Sequence, residues 1–309
     1  MLELKGLTKH YDGLVAVRDL SLSLKPGDIF GFIGSNGAGK TTTIRMLATL
    51  LEPTSGTASL NGADIREDPM AVRGMIGYMP DFFGLYDDIR VWEYLDFFAT
   101  IYRIPKAKRR ETVDSVLELT DLTIKRNDFV QSLSRGMQQR LCLARCLIHD
   151  PDLLLLDEPA SGLDPRARAD LKELILELGR MGKIVLVSSH ILHELATFCS
   201  IVGIIERGEL LAFGPVKEVV AKVRPHRVFV VRVLEDAQKA ASDLTARKGV
   251  LGVAVQEDGA VRVDFDGDLP QQAELLAALV QGGHKPIDFR EEHADLEAAF
   301  MRLTTGAVS

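Results

Sequence analysis

The run Gly34-Ser35-Asn36-Gly37-Ala38-Gly39-Lys40-Thr41 constrains this chain more than any other stretch, because it fits G-x-x-x-x-G-K-[ST] directly after a strand-like segment, Asp28 to Ile33. A phosphate cradle needs backbone N–H groups turned inward, through conformations that a Cβ obstructs, which is why glycines punctuate it. Lys40 then reaches β- and γ-phosphates as a mobile cation, and the Thr41 hydroxyl is placed for Mg²⁺. Thr42 to Leu50 read as a helix whose N-terminal dipole adds favourable potential at the phosphates. The competing reading is a Gly-rich turn capping an ordinary helix. Strand before and helix after favour the cradle, set in an α/β core.

At 309 residues, 46% of them hydrophobic, the chain is long enough for two domains with substantial cores. Its net charge of −7 argues against broad electrostatic binding to nucleic acid or anionic lipid, so no nucleic-acid partner is expected. No apolar run approaches the roughly 18 residues that suggest a membrane span, and the N-terminal stretch MLELKGLTKHY lacks the apolar core of a signal peptide. By itself the chain is expected to be soluble and cytoplasmic. Cys142, Cys146 and Cys199 give no paired framework, and the first two, four apart in a helical pattern, read as small buried apolar residues rather than metal ligands.

Strand-like and helix-like segments alternate around the phosphate loop. Leu2 to Leu4, Ala16 to Leu24, Thr57 to Leu60 and Met75 to Met79 read as strands; Val91 to Tyr102, Ala107 to Leu119, Arg135 to His149 and Pro165 to Arg180 read as helices, the last with Asp164 as N-cap. Asp152 to Asp157 and Lys183 to Ser188 are apolar runs ending in polar residues, as buried parallel strands do when they deliver side chains to a site. The charged, proline-containing stretch Ala221 to His226 marks a boundary, giving domains over 1–220 and 226–309. Beyond it the order β-α-β-β-α-β predicts a split βαβ, ferredoxin-like module.

Two carboxylates end the first of those apolar runs, in Leu153-Leu154-Leu155-Leu156-Asp157-Glu158-Pro159. Asp157 suits a Mg²⁺ coordination sphere through water, since Mg²⁺ keeps much of its hydration. Glu158, one residue on and facing differently, suits a general base for the attacking water. Between the two motifs lies Leu133-Ser134-Arg135-Gly136-Met137-Gln138-Gln139-Arg140, a polar turn opening a helix.

That stretch resembles the signature sequence of ABC-type ATPases, and the surrounding motifs stand in that family's order over residues 1 to about 219. Tyr11 is similar to the aromatic residue that stacks on adenine, with packing in the core as its alternative; Asp81 occupies the Q-loop position, where a glutamine is usual. Ser161-Gly162-Leu163-Asp164 resembles the D-loop, and His190 the switch histidine. In the signature, Arg135 replaces the first glycine and Met137 the glutamine, while Ser134 and Gly136 remain, a variation closer to ABC-2-type exporters of the multidrug, sodium and gliding-motility group than to importers.

The resemblance implies a P-loop NTPase with a RecA-like core, an antiparallel β subdomain and a helical subdomain. It implies ATP and Mg²⁺ as ligands. ATP would be held by Tyr11, Gly34, Ser35, Asn36, Gly37, Ala38, Gly39, Lys40, Thr41 and Thr42, the metal by Thr41 and Asp157, and catalysis would fall to Glu158, His190 and Asp81. Leu133, Ser134, Arg135, Gly136 and Met137 would act in trans on the ATP of a second ATPase subunit, identical or paralogous, in a head-to-tail dimer. A separate membrane permease would dock on the segment Phe82 to Tyr94, whose aromatics look exposed, and hold the chain at the inner face of the cell membrane. The expected function is the ATP-hydrolysing subunit of an exporter; a soluble ABC ATPase unconnected with transport and an importer ATPase with a C-terminal regulatory domain are the alternatives.

Overall fold

Every second side chain is buried along the second half of Leu14–Leu24 (β2), which pairs antiparallel with Leu2–Tyr11 (β1). The sequence pattern suggested that β1 stops before Lys5-Gly6. Instead the strand passes through a register shift between Leu4 and Leu7, where Gly6 takes φ +60°. In the computed structural model, the described residues are 1–309 except 83, 85, 87, 224–225, 293–295 and 305–309, together with the side chains of 193, 222, 223, 297–299 and 302.

The elements that follow are Ile29–Ile33 (β3), Lys40–Leu47 (α1), Ser55–Leu60 (β4), Ala63–Asp64 (β5), Pro69–Gly74 (α2) and Ile76–Met79 (β6). Three helices come next, Val91–Ile101 (α3), Lys106–Leu119 (α4) and Arg135–Leu147 (α5). Leu153–Asp157 (β7), Pro165–Arg180 (α6), Ile184–Ser189 (β8), Leu192–Ala196 (α7), Ile201–Glu206 (β9), Glu209–Pro215 (β10) and Val216–Val223 (α8) complete this part. One sheet has the order β2-β1-β4-β5 and is antiparallel. The other has the order β10-β9-β3-β8-β7-β6, parallel except for the edge strand β10. A single apolar cluster joins them, with Leu7, Leu20 and Leu60 from the first sheet meeting Phe32, Leu155 and Leu186 from the second around Ile44 and Met46 of α1.

Strands β3, β7 and β8 are buried along their whole length, which explains their unbroken apolar runs. All three point their carboxyl ends the same way, so the segments that follow them converge at one edge of the sheet.

The chain divides into two compact units, the second of them Val220–Arg302 and the first the remainder, so that α8 spans the boundary at its fourth residue. In the second, Arg227–Val233 (β11), Ala237–Thr245 (α9), Val250–Val255 (β12), Val261–Phe265 (β13), Leu269–Gln281 (α10), Pro286–Glu291 (β14) and all but the last residue of Leu296–Leu303 (α11) follow in order. The sheet order β12-β13-β11-β14, all antiparallel, is the split βαβ arrangement of ferredoxin-like modules. Phe229, Val231, Val263 and Phe265 on one sheet face pack against Ala240, Leu244, Leu275 and Leu279 of α9 and α10. Among the described residues no helix is long and apolar enough to cross a membrane.

Candidate active site

Gly34 to Gly39 link β3 to α1, and two of the glycines are required by close approach. A Cβ on Gly39, which has φ +110°, would lie 2.5 Å from the Ala16 carbonyl oxygen; one on Gly34 would lie 2.5 Å from that of Ile205. The loop is therefore wedged between β2 and β9. Thr43 closes the first turn of α1, its Oγ1 donating to the Gly39 carbonyl at 3.0 Å. Lys40 is buried, and its ammonium donates to the carbonyls of Gly34 at 2.6 Å and Ser35 at 3.1 Å. Burial draws the Lys40 pKa below the ordinary lysine value, while Glu158 and Asp157 pull the other way. Ser35, Asn36 and Gly37 are exposed, Ala38 is buried, and Thr41 and Thr42 are half-buried.

Two strands away, Asp157 ends β7 and is buried. Ser188 of the intervening β8 donates to its Oδ1 at 2.5 Å and accepts from the Glu158 N–H at 3.0 Å. Glu158 turns the chain with φ +49°. Its carboxylate lies between two nitrogens: Lys40 Nζ at 4.0 Å from Oε1 and His190 Nδ1 at 2.9 Å from Oε2. His190 follows β8 directly and is exposed, so a water or phosphate has access to this cluster. Lys40, Asp157, Glu158 and His190 thus meet at the carboxyl ends of three adjacent strands. Asp81, two residues past the end of the edge strand β6, is exposed on the same side of the sheet.

The residues that resemble a signature and a D-loop form a second group. Ser134 is exposed and caps α5, accepting from the Met137 N–H at 3.4 Å, while Leu133 is buried beneath the turn. Arg135 Nη2 and Gln139 Nε2 both donate to the Ser161 carbonyl, each at 3.3 Å. The Arg135 guanidinium covers Gly162, where a Cβ would lie 2.4 Å from Arg135 Cζ, and a Cβ on Gly136 would touch Ala167 at 3.2 Å and Leu163 at 3.7 Å. Asp164 caps α6 through the N–H groups of Arg166 and Ala167. Arg168 then donates to the Leu163 carbonyl at 2.9 Å and pairs with Glu194 of α7 at 2.8 Å, linking the D-loop to the helix after His190. Among the described residues, no hydrogen bond or ion pair joins the signature to the phosphate loop.

Tyr11 ends β1 and is exposed, with the Lys9 ammonium 5.4 Å from its ring centroid. In the segment Phe82 to Tyr94, Phe82 and Tyr86 are exposed, but Tyr94 is buried: it falls on the inner face of α3 with Val91 and Leu95. Phe83, Leu85 and Asp87 lie outside the described residues. Nearby a groove of about 640 Å³ is lined by Met70, Tyr78, Phe98, Ile101, Tyr102 and Arg145. Ser188, Gln139 and Arg168 were not singled out from the sequence as site residues; only the polar end of the β8 run pointed toward Ser188.

A phosphate loop opening a helix after a central parallel strand, with two carboxylates and a histidine on the neighbouring strand ends, defines a P-loop nucleoside-triphosphate hydrolase. The ABC transporter family model matches residues 17–161. Nod factor export ATP-binding protein I of Cupriavidus pinatubonensis is 34% identical over 98% of this chain and 90% of its own length, and the bacitracin transport ATP-binding protein BcrA of Bacillus licheniformis 36% over 97% and 96%. The chain belongs to the ABC transporter ATP-binding proteins, as an ATP-binding and ATP-hydrolysing subunit of the exporter type. Among solved structures, the ATP-binding subunit of an ABC transporter matches with a TM-score of 0.65 at 30% identity, over 72% of this chain and 92% of that one. A dimeric ATP-binding cassette in a post-hydrolysis state with ADP and Pi matches with a TM-score of 0.63 at 26% identity, over 70% and 98%.

Proposed function

We propose that this chain energises an ABC-2-type exporter by hydrolysing ATP at a site completed by a second ATPase subunit. The observation that carries the reading is the Glu158 carboxylate held between Lys40 and His190 at the mouth of the phosphate loop. Gly34 to Thr42 hold the triphosphate, with Tyr11 stacking on the base. Glu158 takes the proton of the attacking water, His190 orients that carboxylate and contacts the γ-phosphate, and Asp81 reaches toward the water from β6.

The donor set suits Mg²⁺: a hydroxyl on Thr41 and one buried carboxylate on Asp157, with no cluster of three or more ligating side chains among the described residues. An ion that keeps several waters and takes phosphate oxygens needs little more from the protein. Thr41 and, through water, Asp157 would hold it, and when bound it neutralises charge on the phosphates.

Leu133 to Met137 and the D-loop Ser161 to Asp164 face the nucleotide of the partner subunit. Phe82, Tyr86 and the neighbouring apolar groove receive a separate membrane permease, which places the chain at the inner face of the cell membrane. The second unit, with Leu269, Leu276 and Val280 exposed along α10, supports the dimer. In purified protein, Glu158→Gln is expected to cut ATP turnover at least about 100-fold while nucleotide-dependent dimerisation persists, as read by phosphate release and by size-exclusion chromatography. Turnover at the wild-type rate would remove Glu158 from the role of base.

A further inference from the structure

Ser188 is the least accessible polar residue at the site, and in register it faces Asp157 of β7 on one side and Phe32 of β3 on the other. Its two hydrogen bonds have only one possible polarity. A carboxylate with no proton can only accept and a backbone N–H can only donate, so the single hydroxyl proton is committed to Asp157 and a lone pair to Glu158. The residue donating that second bond, Glu158, has φ +49°, a left-handed conformation that costs a non-glycine residue free energy and is held by its surroundings. Without an acceptor for its N–H, Glu158 gains by rotating back toward negative φ, and its carboxylate then leaves the gap between Lys40 and His190.

We propose that Ser188 is a positioning residue for hydrolysis: one hydroxyl fixes the direction of the Asp157 carboxylate and the turn that aims Glu158. The proposal rests on the assignment of Glu158 as the base. Ser188 itself touches no reacting atom.

The test compares Ser188→Thr with Ser188→Val in the full-length chain. The two replacements have nearly the same shape and differ in the hydroxyl, so any strain from the added methyl group is common to both. Two readouts are taken: steady-state ATP hydrolysis, and hydrogen exchange at the Glu158 amide without nucleotide. The threonine variant is expected to retain kcat within about threefold of wild type and to keep the amide protected. The valine variant is expected to lose at least about tenfold in kcat, with KM for ATP within about twofold, and to exchange the Glu158 amide at least about tenfold faster, consistent with loss of a charge-assisted hydrogen-bond network.

Equal kcat in the two variants, equal protection of the Glu158 amide, or a loss confined to KM overturns the proposal. Amide exchange requires no turnover. It therefore fails or holds separately from the role of Glu158, which Glu158→Gln tests.

Discussion

Gly39 is the phosphate-loop residue at which backbone conformation and close contact together leave least room. Its φ of +110° is one that L side chains rarely adopt, and the added methyl group of Gly39→Ala would meet the Ala16 carbonyl oxygen at 2.5 Å. The nearest contact is backbone, with the Val17 and Ile205 side chains behind it at 3.3 and 3.4 Å, so the loop must shift. ATP affinity is expected to fall at least about tenfold, measured by titration calorimetry, with a lowered melting temperature from the same strain. The phosphate loop was legible in the sequence because its residue types stand in one contiguous run at fixed spacing, although the backbone that demands glycine at Gly34 and Gly39 comes from Ile205 and Ala16. Ser188 and Arg168 were not legible, since their roles come from partners 31 and 26 residues away, brought close only by strand register and helix packing.

At the scale of elements, α5 carries the proposed signature on its first turn and holds the Ser161 carbonyl of the proposed D-loop through Arg135 and Gln139. Ser134 is exposed and its hydroxyl does no more than cap the helix, so replacing it changes little within the subunit. Ser134→Arg is expected to leave ATP binding to the monomer within about twofold, at a cap cost of about 1 kcal/mol, while hydrolysis falls at least about tenfold because a bulky cation enters the shared site. Binding of a fluorescent ATP analogue and phosphate release separate the two effects. Unchanged turnover would contradict a site shared between subunits. The helices α3 to α6 were legible from apolar periodicity, although the inward face of Tyr94 was missed by counting its aromatic neighbours as one exposed patch. The hairpin of β9 and β10 was passed over even though the apolar run Ile201 to Ile205 leads into the Arg207-Gly208 turn. Strand β5 and helix α2, at two and six residues, are too short to show a period.

For the whole molecule, the second unit has its own apolar core and an outer helix of unusual composition. Leu269, Leu276 and Val280 of α10 are 72%, 38% and 57% exposed, with Ala273 and Ala277 exposed between them and Glu274 the helix's sole charge. The exposed area is on the order of 300 Å² against roughly 800 Å² per partner in a stable complex, so this stripe suits a supplementary contact in a dimer held mainly elsewhere. Leu276→Asp is therefore expected to leave the monomer's melting temperature within about 3 °C, since a surface change costs little. In a Glu158→Gln background it should weaken ATP-dependent dimerisation about tenfold, read by analytical ultracentrifugation. An unchanged dimerisation constant would leave this unit without a part in the dimer.

The placement of β8 between β3 and β7 has a further consequence. The phosphate loop and the carboxylate pair are separated by two interstrand spacings, each about 4.8 Å and fixed by backbone hydrogen bonds. The sheet acts as a gauge for the width of the site. Side chains behind it can change without resetting that width, whereas a slip of one residue in β8 would carry Ser188 to the opposite face and displace His190. Tolerance to substitution in this core is thus a matter of volume, but tolerance to insertion in its central strand is nil.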